Sequence, residues 1–210
     1  MEKQEIRTFG RRHGKKLSAR KERLIETVLP KLLLNTSENN EILEIGFGAG
    51  EHMRRLADDN PTKIIIGAEP FVNGVAALLS GICDENDAIL PEYKNLRIWP
   101  DDVRLLFDKM KFQLSEIWVL HPDPWPKARH EKRRLLNADF LNLLGQNLAP
   151  DGRIIIGTDH WEYYDWILEQ VKHTTLGIYD SNHETIKTRY QQKNMANTSA
   201  PKYIILGLAR

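Results

Sequence analysis

Glu41-Ile-Leu-Glu-Ile45 followed by Gly46-Phe-Gly-Ala-Gly50 decides the fold. After the break at Asn39 and Asn40, the short apolar run reads as a buried strand, the three glycines as a tight turn, and residues 51–58 as a helix. Strand, glycine turn and helix make the opening unit of a nucleotide-binding α/β sheet, in which small residues let the backbone approach a ligand at the helix N-terminus. The spacing is G-x-G-x-G, not the G-x-G-x-x-G of dinucleotide sites, and an acid, Glu44, stands two residues before the first glycine. Such a carboxylate repels a pyrophosphate and suits a cation, for example the amino group of an amino-acid-like cofactor.

Strands and helices alternate outward from this unit. Residues 63–68 read as a second strand ending in Glu69, where an acid can accept from both hydroxyls of a ribose. A helix over 71–84 leads to a third strand at 95–99, then to Asp101 and Asp102 before a helix that runs through Phe107. Either acid can cap that helix, and Asp101 can equally reach an adenine amino group. Residues 115–120 and 153–157 are the fourth and fifth strands, with helices over 131–148 and 161–171 and a turn at Pro150-Asp-Gly152. Thr158, Asp159 and His160 follow the fifth strand, and Asp159 can cap the helix after it. Parallel sheets bind ligands at the carboxyl ends of their strands, so Glu44, Glu69, Asp101, Asp123 and Asp159 fall on one edge. Two strand-like runs, 184–190 and 201–208, predict an antiparallel pair at the far edge.

The fourth strand delivers His121-Pro-Asp-Pro-Trp-Pro-Lys127. Pro122, Pro124 and Pro126 push the residues before them out of the right-handed region, which predicts an extended, stiff loop at His121, Asp123 and Trp125. Asp123 is then a carboxylate at a strand mouth. Trp125 can stack on a base or pack under the loop. Lys127, Arg129, Lys132, Arg133 and Arg134 crowd into the next residues as phosphate-seeking cations. A second basic cluster, Arg7 to Arg23, leads into a helix expected to reach Leu34; it either grips phosphates or forms a solvated tail.

With 210 residues, 41% hydrophobic and 28% charged, the chain is globular; we read residues 1–34 as a basic arm with a capping helix and 35–210 as the main domain. The net charge is only +1, so any nucleic-acid face arises from local clustering. The single cysteine, Cys83, reads as a small helix-packing residue in a reducing compartment, and no metal is expected. No apolar run approaches the roughly 18–20 residues of a membrane helix, so no membrane is expected and a cytoplasmic protein is.

Taken together, Glu44-Ile-Gly-Phe-Gly-Ala-Gly50, Pro122-Asp-Pro-Trp-Pro-Lys-Ala-Arg-His130, Lys132-Arg-Arg-Leu135, Thr158-Asp159 and Thr188-Arg-Tyr190 resemble the bacterial tRNA (guanine-N7-)-methyltransferases. Phe9-Gly-Arg-Arg12 in the basic arm also fits, and the similarity spans nearly the whole chain. The resemblance implies an α/β, Rossmann-like class I methyltransferase fold: a seven-stranded, mostly parallel sheet with helices on both faces and a C-terminal antiparallel pair. It implies S-adenosyl-L-methionine as cofactor, held by Glu44, Glu69 and Asp101 around the turn of Gly46, Gly48 and Gly50. Asp123 takes the catalytic role, and Lys127, Asp159, Thr188, Arg189, Tyr190 and Gln191 contact the substrate. Arg129, Lys132, Arg133 and Arg134 hold the tRNA backbone. The implied reaction methylates N7 of a guanosine in the variable loop of tRNA, carried out by a monomer or homodimer.

Gln191 stands where the family shows a glutamate, which leaves one acceptor oxygen for guanine instead of two. Leu120-His121 replaces a usual aromatic residue. A methyltransferase acting on another RNA or a small molecule is an alternative, because sheet and cofactor acids serve either substrate. A non-catalytic RNA-binding module of the same fold is another, favoured by Gln191. A dinucleotide oxidoreductase is a third, opposed by the glycine spacing and Glu44.

Overall fold

The computed structural model describes residues 9–10, 12–34, 41–180 and 201–209. Seven strands are present among them: β1 (Glu41–Ile45), β2 (Ile64–Ala68), β3 (Leu96–Trp99), β4 (Leu114–Leu120), β5 (Leu148–Thr158), β6 (Leu176–Asp180) and β7 (Lys202–Leu208). They form one sheet in the order β3-β2-β1-β4-β5-β7-β6. The helices are α1 (Ala19–Thr27), α2 (Leu29–Leu32), α3 (Glu51–Asp59), α4 (Val72–Ile82), α5 (Val103–Phe107), α6 (Ala138–Gln146) and α7 (Trp161–Val171). The described residues divide between two compact units, bounded by 1–38 with 47–111 and by 39–46 with 112–210.

In the first unit β2 and β3 pair in parallel, Ile65 opposite Leu96 and Ala68 opposite Trp99, so Glu69 and Asp101 emerge from the same end. Helix α3 presses close to β2 at Gly67, where a Cβ would collide with the side chains of Met53 and Phe47. The helix expected over 18–34 is in fact two. Ser18 caps α1, but the chain turns at Val28 and restarts with Pro30 in the first turn of α2, because a proline there has no N–H to continue α1.

In the second unit β1 and β4 run parallel, with Glu44 opposite Trp118 and Ile45 opposite Val119. Strand β5 continues the parallel set, with Leu120 opposite Gly157. This register brings the ends of β1, β4 and β5 together, so Glu44, the loop from His121 and Asp159 share an edge. Ile42, Leu43, Ile117, Ile154, Ile156 and Leu206 are buried. Each such aliphatic contributes about 1.5–3 kcal/mol on burial, which anchors that edge.

Several boundaries differ from the sequence reading. The helix expected from 131 begins at Ala138, where the side chain of Asn137 accepts from the Phe140 amide, and Ala128–Arg133 form a 3-10 turn instead. Strand β5 starts at Leu148, taking in the Pro150-Asp-Gly152 segment that reads as a turn. Antiparallel pairing at the C-terminal side is present, with β7 between β5 and β6. The edge strand is β6, whose Leu-Gly-Ile-Tyr-Asp sequence carries little alternation; the expected strand at 184–190 lies outside the described residues. Among the described residues no helix is long and apolar enough to cross a membrane.

Candidate active site

Gly46, Gly48 and Gly50 all stand at positive φ, +73°, +55° and +76°. Only glycine adopts these angles freely. A Cβ at Gly46 or Gly48 would meet no atom within 4 Å, so the space over those two glycines is open, while a Cβ at Gly50 would collide with Leu78.

Within the first unit, Glu69 is buried, and its carboxylate accepts from the Gly48 and Phe71 amides, each at 2.9 Å. A carboxylate offers about four lone-pair sites, so this anchoring is compatible with further acceptance from ligand hydroxyls. The two acids after β3 divide their work. Asp102 caps α5, accepting from the Arg104 amide at 3.0 Å and pairing with its guanidinium at 2.7 Å. Asp101 stays half-exposed, accepts from the Asp102 amide and pairs with Arg12 at 3.1 Å. The basic arm is not a loose tail at this point. The Arg12 carbonyl accepts from the Val72 amide, the Gly14 amide donates to the Asn73 side chain at 2.8 Å, and the Asn73 amide group donates to the Lys15 carbonyl at 2.7 Å.

Within the second unit, Glu44 is buried in β1 and Asp123 is exposed just beyond β4. The proline loop departs from the expected extended backbone. His121 stands at φ +49° and Trp125 at φ +42°. Proline excludes right-handed helical backbone from the residue before it, and here the alternative adopted is left-handed, at about 1–3 kcal/mol of strain per residue. Neighbouring groups hold it there. The His121 amide donates to the Gly157 carbonyl at 2.8 Å, extending the β4–β5 ladder by one residue, and its Nδ1 lies 3.7 Å from Asp159 Oδ1.

Further along the loop, Trp125 packs against its own following turn, with the Arg133 guanidinium 5.0 Å from its ring centroid and the His130 ring edge-on at 5.6 Å. Lys127, Arg129 and Lys132 are exposed. Arg134, expected among the RNA-facing cations, is instead only 8% exposed. Its Nε donates to the Pro124 carbonyl at 2.9 Å, and its guanidinium lies over the rings of Trp166 and Tyr163 at 4.9 and 5.5 Å. The Trp166 indole N–H in turn donates to Glu131 at 2.7 Å.

Burial lowers the pKa of His121, while nearby Asp159 pulls it the other way. His130 is lowered by loss of solvation and by its cationic neighbours Arg133, Arg129 and Lys127. Burial raises the Tyr163 hydroxyl and keeps it protonated. The cap of α7 is His160, whose Nδ1 accepts from the Tyr163 amide at 3.3 Å, so Asp159 does not fill that role. Among the described residues no group of three or more His, Cys, Asp or Glu is placed to hold a metal. Thr188, Arg189, Tyr190 and Gln191 lie outside the described residues.

Sequence reasoning missed Asn137 as a cap, the approach of His121 to Asp159, and the Tyr163, Trp166 and Glu131 surround of Arg134. The one available signal for that surround was Tyr163 and Trp166 at helical i, i+3 spacing.

A protein-family model described as "Putative methyltransferase" matches residues 38–202. The tRNA (guanine-N(7)-)-methyltransferase of Neorickettsia sennetsu is 36% identical over 87% of this chain and 81% of its own length. That of Hyphomonas neptunium is 42% identical over 76% of each. A crystal structure of the 16S rRNA methyltransferase KamB superposes with a TM-score of 0.58 over 93% of this chain and 96% of that one; at 10% identity this shows the shared methyltransferase fold alone. The chain therefore belongs to the tRNA (guanine-N(7)-)-methyltransferase family.

Proposed function

We propose that this protein transfers a methyl group from S-adenosyl-L-methionine to N7 of a guanosine in tRNA, the variable-loop guanosine being the expected target. The observation that carries this reading is Asp123, an exposed carboxylate at the mouth of β4 on a loop held by its neighbours. When bound, the cofactor supplies an electrophilic methyl group on a sulfonium centre. The residues fit such a molecule. In the first unit Gly48 leaves its backbone open to approach, anchored Glu69 suits ribose hydroxyls and Asp101 suits an adenine amino group; in the second, Glu44 suits the amino group of the amino-acid end.

Guanine N7 carries a lone pair and no hydrogen, so its methylation requires no base to remove a proton. It requires in-line orientation and stabilisation of the positive charge that develops on the purine. Asp123 does both as a fixed carboxylate. Asp159 accepts from the guanine N1 and N2 hydrogens, and Thr188, Arg189, Tyr190 and Gln191 complete the substrate contacts. Lys127, Arg129, Lys132 and Arg133 hold phosphates. The buried lone Cys83 suits the reducing cytoplasm in which tRNA is modified.

The test is incubation of the wild-type protein with unmodified tRNA and methyl-labelled cofactor, followed by digestion to nucleosides. Label in 7-methylguanosine is the expected result. Label in another nucleoside contradicts the substrate assignment, and RNA binding without transfer favours the non-catalytic module.

A further inference from the structure

We infer that Arg134 is a positioning residue for Asp123, acting through the Pro124 carbonyl; the inference rests on the proposed role of Asp123 in methyl transfer. The loop cannot hold itself. Pro122, Pro124 and Pro126 have no N–H, so among residues 121–127 only His121, Asp123, Trp125 and Lys127 carry a backbone donor. Two of those four, His121 and Trp125, stand at strained positive φ and persist only if the surroundings over-determine them.

Asp123 is bracketed by two hydrogen bonds. On its N-terminal side the His121 amide donates to the Gly157 carbonyl at 2.8 Å. On its C-terminal side Arg134 Nε donates to the Pro124 carbonyl at 2.9 Å, fixing the peptide group that follows Pro124. The second bond is the one made by a side chain, and its donor is elaborately placed. Burying a guanidinium is costly unless its charge and donors are met. Here the rings of Trp166 and Tyr163 lie against it, and Trp166 is tied by Glu131 to the same turn that sets Arg133 over Trp125. A planar fork can stack on rings while donating edge-on to a carbonyl; a lysine ammonium cannot do both. Arg134 thus differs in job from its exposed neighbours Arg129 and Lys132, although the sequence sets them side by side.

The experiment compares wild type with Arg134→Leu, which keeps apolar bulk against the rings, and Arg134→Lys, which keeps stem and charge. Steady-state kinetics, the salt dependence of tRNA binding, and hydrogen exchange of the peptide containing residues 121–127 are measured on each. Loss of the brace lowers kcat by about 100-fold in the Leu variant, the scale of a small misplacement of a reacting group. KM for tRNA and the salt slope stay at wild-type values, exchange in the loop rises, and the Lys variant recovers only part of kcat. A raised KM with a salt slope shallower by about 1 marks a phosphate contact and overturns the inference. So does unchanged kcat, unchanged loop exchange, or a Lys variant equal to wild type in both. Should the Leu variant fail to fold, the Lys variant carries the same readouts. Exchange reads the brace without any methyl transfer, so an inactive wild type overturns the functional reading alone.

Discussion

The turn after β1 and the loop after β4 both place backbone at positive φ, and they reach it with opposite chemistry. In the first, Gly46, Gly48 and Gly50 adopt it because they lack a Cβ, and open space lies over two of the three. In the second, His121 and Trp125 adopt it against their preference, each before a proline, and are held by the β4–β5 ladder, Arg133 and Arg134. The first region is specified by missing side chains, and the second by side chains brought from elsewhere. Substitution in the glycine turn should therefore harm by adding atoms, and substitution around the proline loop by removing them.

The largest stability effect is expected at Gly50, where an added methyl is strained in φ and also collides with Leu78. Gly50→Ala should cost roughly 3 kcal/mol in urea unfolding, summing left-handed strain and overpacking. Next comes His121→Val, which puts a β-branched residue at positive φ and should be less stable than His121→Asn by about 2 kcal/mol. Equal stability of the two would mean that the left-handed backbone at His121 does not persist in solution. Gly48→Ala, strained in φ but meeting no atom, should cost only about 1 kcal/mol, with the clearer loss in cofactor affinity measured by calorimetry.

The smallest effect is in pH. The folded pKa of His121 lies below its ordinary value, chiefly through burial, so the unfolded chain binds more protons as pH falls. Its contribution is present above about pH 6.5 and is lost as pH drops through the folded value. Denaturation midpoints should therefore decline from pH 7.5 to 5.5, and His121→Asn should flatten the decline. A steeper fall in the Asn variant would contradict the sign. Asp87, lowered by hydrogen bonds from Arg23 and Arg20 and their charge, adds a separate loss below about pH 4.

Much of the strand, turn and helix order was legible because each rests on local pattern: apolar runs for β1, β2 and β4, glycines for the turn, Asp101 and Asp102 before α5. Within each unit the strand ends were legible for the same reason: Glu69 and Asp101 follow the parallel pair β2 and β3, and Asp123 and Asp159 follow the parallel pair β4 and β5. What escaped depended on distant partners. Proline before the fact excludes one backbone region for His121 and Trp125 but does not choose among the rest; the ladder and the two arginines choose. Arg134 looks like any cation in the run from Lys127; the Pro124 carbonyl, with Tyr163 and Trp166 some thirty residues on in α7, sets it apart. Strand β6 is held by pairing with β7, a tertiary contact that overrides a weak local preference.

The most direct test is single-turnover methyl transfer to tRNA by Asp123→Asn beside wild type, with tRNA and cofactor affinities measured on both. If Asp123 orients the guanine and stabilises its developing charge, the rate falls by about 10²–10³-fold while both affinities hold. A variant that transfers methyl at the wild-type rate would contradict the role assigned to Asp123.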